Sequence, residues 1–386
     1  MVIFPVPNTY FHLFFVITKV IFIFGLDIRN NEDNVKRRQS FYQKILSLFW
    51  IFYFVHTIIT IITDDIQHIP SINSIIARKS NDIIAFLIWS VMKTRENKIH
   101  NLLQHMNHLR STSDIKLHTF WIWFSGGVIF TVPLLAWLSL ILFLDEKNCQ
   151  YLLMYYRLHL FNIPKGYKCR VSSVPLLFSH STMYALRTSV TVLYISICCL
   201  LRSLLNRHSE MGTKKIEKKT SAIDQKYCEN YIDSYKHIIE ISSTFEKVMS
   251  LPVFLITIGD CLGMVYGFLK FEESKGPDGK YLINFRFGIL YIALRSLVSF
   301  LSVTFFASSV HESSMHAKIV QQKLTEQLLT SRQKRDNKEL LLLFLAQNNP
   351  PLTLSAGGFF NFTRNLVLSV LGTVLTYSLL MMQILK

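Results

Sequence analysis

Residues 365–383, NLVLSVLGTVLTYSLLMMQ, form an apolar stretch that contains no charged residue and ends on a glutamine. About 20 apolar residues in a helix cross the hydrocarbon core of a bilayer, so the stretch predicts a membrane-spanning helix. Steps of four, three, four and three residues join five positions that share one helix face: Ser369, Thr373, Thr376, Leu380 and Gln383. Lipid offers such a face no hydrogen bonds, so we expect it to meet protein or water.

The composition of the whole chain is that of a membrane protein. Of the 386 residues, 50% are hydrophobic and 30 are Phe, and the mean hydropathy is +0.31. The net charge of +16 comes from basic residues between apolar runs, not from a basic stripe with stacking aromatics, so nucleic acid is not an expected partner. No cysteine or histidine spacing indicates a metal site, and no arrangement of side chains predicts an enzyme or a bound cofactor.

Apolar runs separated by charged stretches predict an all-α membrane protein of one domain, residues 1–386, with seven transmembrane helices. The expected spans are 44–63, 72–92, 119–144, 174–201, 250–270, 284–310 and 354–385. The long connections 202–249 and 311–353 have apolar residues at helical spacing among mixed charges, which predicts helical extensions beyond the membrane. The apolar segment 10–25 lacks the features of a secretory signal, and we interpret it as interfacial or packed, with a membrane span as the alternative.

The distribution of Lys and Arg predicts the orientation of the chain in the membrane. With the amino terminus in the cytoplasm, 26 of the 41 basic residues lie in cytoplasmic segments and 11 in external ones. Positive residues favour the cytoplasmic side, so we expect a cytoplasmic amino terminus and an external carboxyl terminus. Both long helical connections then lie in the cytoplasm. A G-protein-coupled receptor has the opposite orientation.

The last segment is too long for one straight crossing, and Gly357, Gly358, Asn361 and Arg364 lie in its first third. We therefore predict a break, with a cytoplasmic half-helix before the spanning helix. The polar face of that helix is compatible with helix packing or with pore lining. A pore requires several copies around an axis, with a ring of Leu380 as a hydrophobic constriction and Gln383 as a neutral polar filter.

The residues TYSLLMMQ, 376–383, resemble the motif that closes the seventh helix of insect gustatory receptors, and residues 343–375 are similar to the stretch that leads into it. The resemblance implies a ligand-gated cation channel of four subunits around a central pore, with gate positions at Leu380 and Gln383. It also implies that Thr376 and Tyr377 hold this helix against its neighbours. Ile384 stands where the family usually has Phe, and Ser378 where its sugar-sensing branch usually has Glu.

The same resemblance implies a small-molecule tastant as ligand. It favours a bitter, aversive or other non-sugar compound over a sugar. It implies a multi-pass protein among the lipids of the plasma membrane of chemosensory neurons, assembled as a homo- or heterotetramer with other gustatory receptors. A G-protein-coupled receptor and a secondary transporter are the alternative functions. A transporter commonly has two related halves and several broken helices, whereas only one break is predicted here.

Charges within spans are costly and are usually paired or functional. Asp260 and Arg295 fall near the middle of spans five and six, so we expect them to form an ion pair. Five residues are candidates for lining a ligand pocket: Trp137, Tyr184, Arg187, Tyr266 and Tyr291. Cys149 and Cys169 lie in the same external connection, where an oxidising environment permits a disulfide bond.

Overall fold

The computed structural model describes residues 17–26, 36–66, 72–112, 119–141, 168–217, 225–273, 283–330 and 350–384. The described chain is almost entirely helical. Residues 17–23 form a short helical segment. Eight longer helices follow, with a two-stranded hairpin before the last: α1 Lys36–Ile66, α2 Ile72–Thr94, α3 Glu96–Thr112, α4 Thr119–Ile141, α5 Lys168–Glu217, α6 Gln225–Glu273, α7 Ile283–Thr330, β1 Ser355–Ala356, β2 Phe360–Asn361 and α8 Arg364–Ile384. Within the described residues, each of the first six predicted spans lies in a helix, and the seventh includes α8.

Among the described residues, four helices contain segments long and apolar enough to cross a membrane: Phe41–Ile59, Thr182–Glu217, Glu229–Leu269 and Phe287–Gln327. Two shorter apolar segments, Phe124–Ser139 and Arg364–Leu380, lie in α4 and α8. Helix α2, 23 residues long, carries Lys79 and Asp82 in a buried i, i+3 ion pair of 3.7 Å. This pairing explains how a helix with charged residues in its first half can belong to an apolar bundle.

Helices α5, α6 and α7 form the centre of the helix bundle. They have 50, 49 and 48 residues, and at 1.5 Å per residue each is about 70 to 75 Å long. A bilayer core is roughly 30 Å thick, so each helix continues well beyond it. Residues 202–217, 225–249 and 311–330, which the sequence predicted to be helical, lie within these three helices. Helix α7 packs against both α5 and α6.

The remaining helices surround this trio. Helix α4 packs on α5 and α7, and α2 packs on α6, α5 and α1. Helix α3 lies in the connection between the second and third predicted spans. This helix buries Ile99, Leu102 and Met106 and packs on α6. The guanidinium of Arg95, just before α3, donates to the carbonyl oxygens of Lys247 and Val248 at 2.9 and 2.8 Å.

Residues 17–26 confirm the interpretation of the amino-terminal segment as packed. Ile17, Ile21 and Leu26 are fully buried in the main core. The indole nitrogens of Trp50 and Trp89 both donate to the carbonyl oxygen of Phe24, at 3.2 and 3.1 Å. The segment is therefore joined to α1 and α2 by hydrogen bonds as well as by apolar contacts.

The predicted half-helix before α8 is wrong: residues 355–361 form an antiparallel hairpin. Gly357 and Gly358 have φ values of +61° and +79°, which helical residues cannot adopt and which other side chains disfavour. Tertiary contacts hold this turn. The amide of Gly357 donates to the carbonyl oxygen of Ser250 at 3.0 Å, and the Glu246 carboxylate accepts from the amide and hydroxyl of Ser355.

Candidate ligand cavity and pore helix

A cavity of about 700 Å³ lies between α4, α5 and α7. Its volume is within the range of sites that take drug-sized ligands. Helix α4 contributes an apolar wall with a single hydroxyl: Phe124, Ser125, Val128, Val132 and Leu135. Helix α5 contributes mixed apolar and hydroxyl side chains, with Arg202 and Asn206 towards its carboxyl-terminal end. The cavity therefore combines an apolar surface with a polar one.

The wall from α7 follows a helical repeat. Tyr291, Arg295, Ser299, Ser302 and Phe306 are separated by steps of four, four, three and four residues, and all of them line the cavity. One end of this wall is fixed by a hydrogen bond between helices. The Tyr291 hydroxyl donates to the carbonyl oxygen of Val132 at 2.6 Å and so joins α7 to α4.

Hydroxyl groups on the α5 wall donate within their own helix. Thr191, Ser196 and Ser203 donate to the carbonyl oxygens of Arg187, Val192 and Cys199, at 2.9, 2.7 and 2.9 Å. A hydroxyl group has one proton, so each of these oxygens can only accept a further hydrogen bond. Ligand donors can meet them, but a ligand acceptor has to find its partner elsewhere on the wall.

A buried ion pair lies behind the cavity. Arg187 of α5 and Asp260 of α6 are 3% and 0% exposed, and their nearest nitrogen and oxygen are 2.6 Å apart. The same guanidinium donates to the carbonyl oxygen of Ile256 at 2.8 Å and to the Asn81 side chain at 3.3 Å. Arg187 therefore ties together α2, α5 and α6 in the interior of the bundle.

Asp260 does not pair with Arg295 as predicted. Gly259 lies against the Arg187 guanidinium, and a β-carbon at this position would come within 2.7 to 2.9 Å of it. Because Gly259 has no side chain, the Arg187 guanidinium has room to bind Asp260, and Asp260 pairs with Arg187 instead of Arg295. Arg295 instead lies over the ring of Tyr184, with its guanidinium carbon 4.7 Å from the ring centroid, which is a cation–π contact.

Of the five residues predicted to line a ligand pocket, only Tyr291 lines this cavity. Arg187 and Tyr184 are buried behind its wall, and Trp137 and Tyr266 are half-buried without lining it. Aromatic character gave no information on the direction of these side chains. The four- and three-residue repeat around Tyr291 in α7 was the sequence signal that could have identified Arg295, Ser299 and Ser302.

Helix α8 exposes the polar face that the sequence predicted. Ser369, Thr373, Thr376, Leu380 and Gln383 are all exposed in the single chain. The opposite side of the helix packs on the same chain: Val374 is 5% exposed in a cluster with Met264 and Phe300, and Ser378 is 1% exposed. The helix therefore attaches to α6 and α7 through one side and leaves the polar face uncovered.

Three hydroxyl groups of the polar face donate to their own helix. Ser369, Thr373 and Thr376 donate to the carbonyl oxygens of Asn365, Ser369 and Gly372, at 3.3, 2.8 and 2.8 Å. The outward side of each hydroxyl oxygen then carries lone pairs and no proton. The polar face is consequently a row of hydrogen-bond acceptors.

Among the helices that the structure describes, Thr376 and Tyr377 do not hold α8 against a neighbour in the same chain. The Thr376 hydroxyl is bonded to Gly372, and Tyr377 is 62% exposed. Tyr377 lies about 100° around the helix from Thr376, beside the polar face. The side chains of Cys149 and Cys169 lie outside the described residues, so their disulfide bond stays a prediction.

The long apolar helices, the hairpin and the exposed last helix define a multi-helix membrane protein. The sequence profile described as 7tm Chemosensory receptor matches residues 10–384, and the chain belongs to this family. Among curated proteins, none matches the chain by sequence.

Solved structures with a similar fold include two of an insect olfactory receptor. The insect olfactory receptor OR5 from Machilis hrabei aligns with a TM-score of 0.72 at 13% identity, over 98% of this chain and 100% of that one. The same receptor in complex with eugenol aligns with a TM-score of 0.71 at 14% identity, with the same coverage. At this identity the likeness establishes the shared fold.

Proposed function

We propose that the chain is a gustatory receptor, one subunit of a ligand-gated cation channel that a small-molecule tastant opens. The observation that carries the proposal is the uncovered polar face of α8. In lipid this face would leave hydroxyl oxygens and the Gln383 amide without partners. A water-filled axis shared by several subunits, four by the family resemblance, provides those partners.

The orientation of the hydroxyl groups supports selection for cations. Around an axis, Ser369, Thr373 and Thr376 would present oxygen lone pairs from every subunit, because their protons are used within the helix. Such acceptors replace part of the hydration shell of a cation and repel an anion. A ring of Leu380 would close the pore by excluding water, with the Gln383 amides beside it.

The α4–α5–α7 cavity is the proposed site of the tastant. A related receptor fold has been solved with eugenol, and this cavity has the volume for a ligand of similar size. Ser378 supports a non-sugar ligand. Its side chain is 1% exposed in the packing of α8, and a Glu at this position, as in the sugar-sensing branch, would change that packing. We place the protein in the plasma membrane of chemosensory neurons, with its amino terminus in the cytoplasm.

Filling the cavity tests the proposal. We expect Val298→Trp to raise the half-maximal concentration of an activating tastant by about tenfold or more, because the indole occupies ligand space. Val298 lines the cavity and is 54% exposed. The measurement is ligand-evoked cation current in cells that express the chain, alone and with other receptor subunits.

Leu290→Trp is the matched control for this experiment. Leu290 is 52% exposed on the same helix and does not line the cavity. The control variant should respond like the unmodified chain at equal surface level. Equal responses from both Trp variants would place the ligand elsewhere. A response that requires G-protein signalling and carries no current of its own would favour a metabotropic receptor.

A further inference from the structure

The wall of the α4–α5–α7 cavity carries a positive charge that its surroundings do not balance. Arg187, Arg295 and Asp260 lie close together, and the one carboxylate of the three is bound to Arg187 at 2.6 Å. Asp260 is 0% exposed and does not line the cavity. In the part of the chain that the structure describes, no carboxylate lies within 4 Å of a guanidinium nitrogen of Arg295. The cluster keeps a net charge of +1.

The charged residues of α2 do not neutralise Arg295. Lys79 and Asp82 of α2 form their own pair at 3.7 Å, and the Asp82 carboxylate also accepts from the Tyr53 hydroxyl at 2.9 Å. The Tyr184 ring offers Arg295 a cation–π contact but no negative charge. A cation at membrane depth with no counter-ion is costly, and an anion that reaches it gains a charge-assisted interaction.

Arg295 is also the charged donor at its end of the cavity. The Tyr291 hydroxyl gives its proton to Val132, and the Thr191 and Ser196 hydroxyls give theirs to α5 carbonyl oxygens. Arg202 is the other arginine on the wall. Along α5 it lies 14 residues, about 21 Å of helix, from Thr188, the lining residue next to Arg187. Arg202 is exposed, so solvent can hydrate its charge.

We propose that this cavity selects amphipathic organic acids, with the carboxylate at Arg295 and an aryl or alkyl body against the apolar wall of α4. The inference rests on the proposed function in that it places the ligand in this cavity. Charge complementarity determines the head group, and Val128, Val132 and Leu135 determine the apolar body. A matched amine would bring a second positive charge to Arg295 and should be rejected.

The test compares phenylbutyrate, phenylbutanol and phenylbutylamine, which share one apolar skeleton. Their affinities for the purified full-length protein are measured by calorimetry. We expect the acid to bind about tenfold or more tightly than the alcohol, and the amine most weakly. Arg295→Gln should weaken acid binding by about tenfold and leave alcohol binding within about threefold. Arg364→Gln, which changes an exposed arginine that does not line the cavity, should leave the ranking unchanged.

The ranking on the unmodified protein decides the inference even if Arg295→Gln does not fold. Equal affinities, a preference for the amine, binding of none of the three probes, or an unchanged acid preference in Arg295→Gln would each overturn it. Current recordings with the same probes separate this inference from the proposed function. An acid that binds without evoking current would contradict the channel alone, whereas currents without a preference for the acid would contradict only the ligand class.

The carboxylate can come from a water-soluble acid or from a fatty acid in the membrane. Nanodiscs with and without oleate distinguish these sources. Displacement of phenylbutyrate by oleate would support the proposal with a membrane fatty acid as ligand. Retained phenylbutyrate binding would support it with a soluble acid.

Discussion

Asp260→Asn is expected to destabilise the protein strongly and to remove most of it from the cell surface. The change leaves the Arg187 charge buried at 3% exposure without a counter-ion, close to Arg295. Removing one partner of a buried ion pair costs about 3 to 5 kcal/mol, which is a large fraction of the stability of a typical domain. Surface labelling and the melting temperature of the detergent-solubilised protein are the measurements.

Glu312→Gln is the matched control, because it also removes the acid of an Arg–carboxylate pair. The side chains of Arg364 and Glu312 are 70% and 46% exposed, and Arg364 donates to Glu312 at 2.7 Å. Exposed pairs contribute about 1 kcal/mol or less, so we expect near-normal surface level. Arg187→Met combined with Asp260→Leu should recover part of the loss, since it removes both charges. Equal effects of Asp260→Asn and Glu312→Gln would show that the buried pair does not stabilise the bundle.

Gln383→Lys is expected to suppress the cation current by about tenfold or more at unchanged surface level. In a tetramer the substitution introduces four positive charges around the pore, and each repels the permeating cation. Gln383→Glu should have the opposite electrostatic effect and increase the permeability to divalent relative to monovalent cations. Reversal potentials measure this ratio independently of the number of channels.

Gln383→Asn controls for changes in side-chain size, because it keeps a neutral amide at the same position of α8. We expect its current and reversal potential to stay close to those of the unmodified channel. If the Lys and Glu variants also conduct with unchanged amplitude and selectivity, Gln383 does not face the ion pathway, and the assignment of the polar face to the pore is incorrect.

The sequence predicts most of the helical architecture for physical reasons. Apolar runs of membrane length identify the spans, and apolar residues at helical spacing among mixed charges identify the extensions of α5, α6 and α7. The polar face of α8 was also predictable, because a helix fixes the relative directions of residues separated by steps of three and four. These features depend on local spacing alone.

Features that depend on contacts between distant segments were not predictable in the same way. Asp260 is at a suitable depth for either arginine, and the choice of Arg187 depends on the space beside Gly259. The two glycines before α8 indicated a break. Their hairpin geometry depends on Glu246 and Ser250, more than 100 residues earlier in the chain. The ligand cavity likewise requires knowing which sides of α4, α5 and α7 meet.

A cryo-EM reconstruction of the protein in lipid nanodiscs would show what the polar face of α8 contacts. We expect a tetramer in which α8 is the innermost helix and Ser369, Thr373 and Gln383 face a conduit along the symmetry axis. A particle in which these three side chains contact lipid or the neighbouring helices of their own subunit, with no conduit on the axis, would contradict the assignment of α8 to a pore.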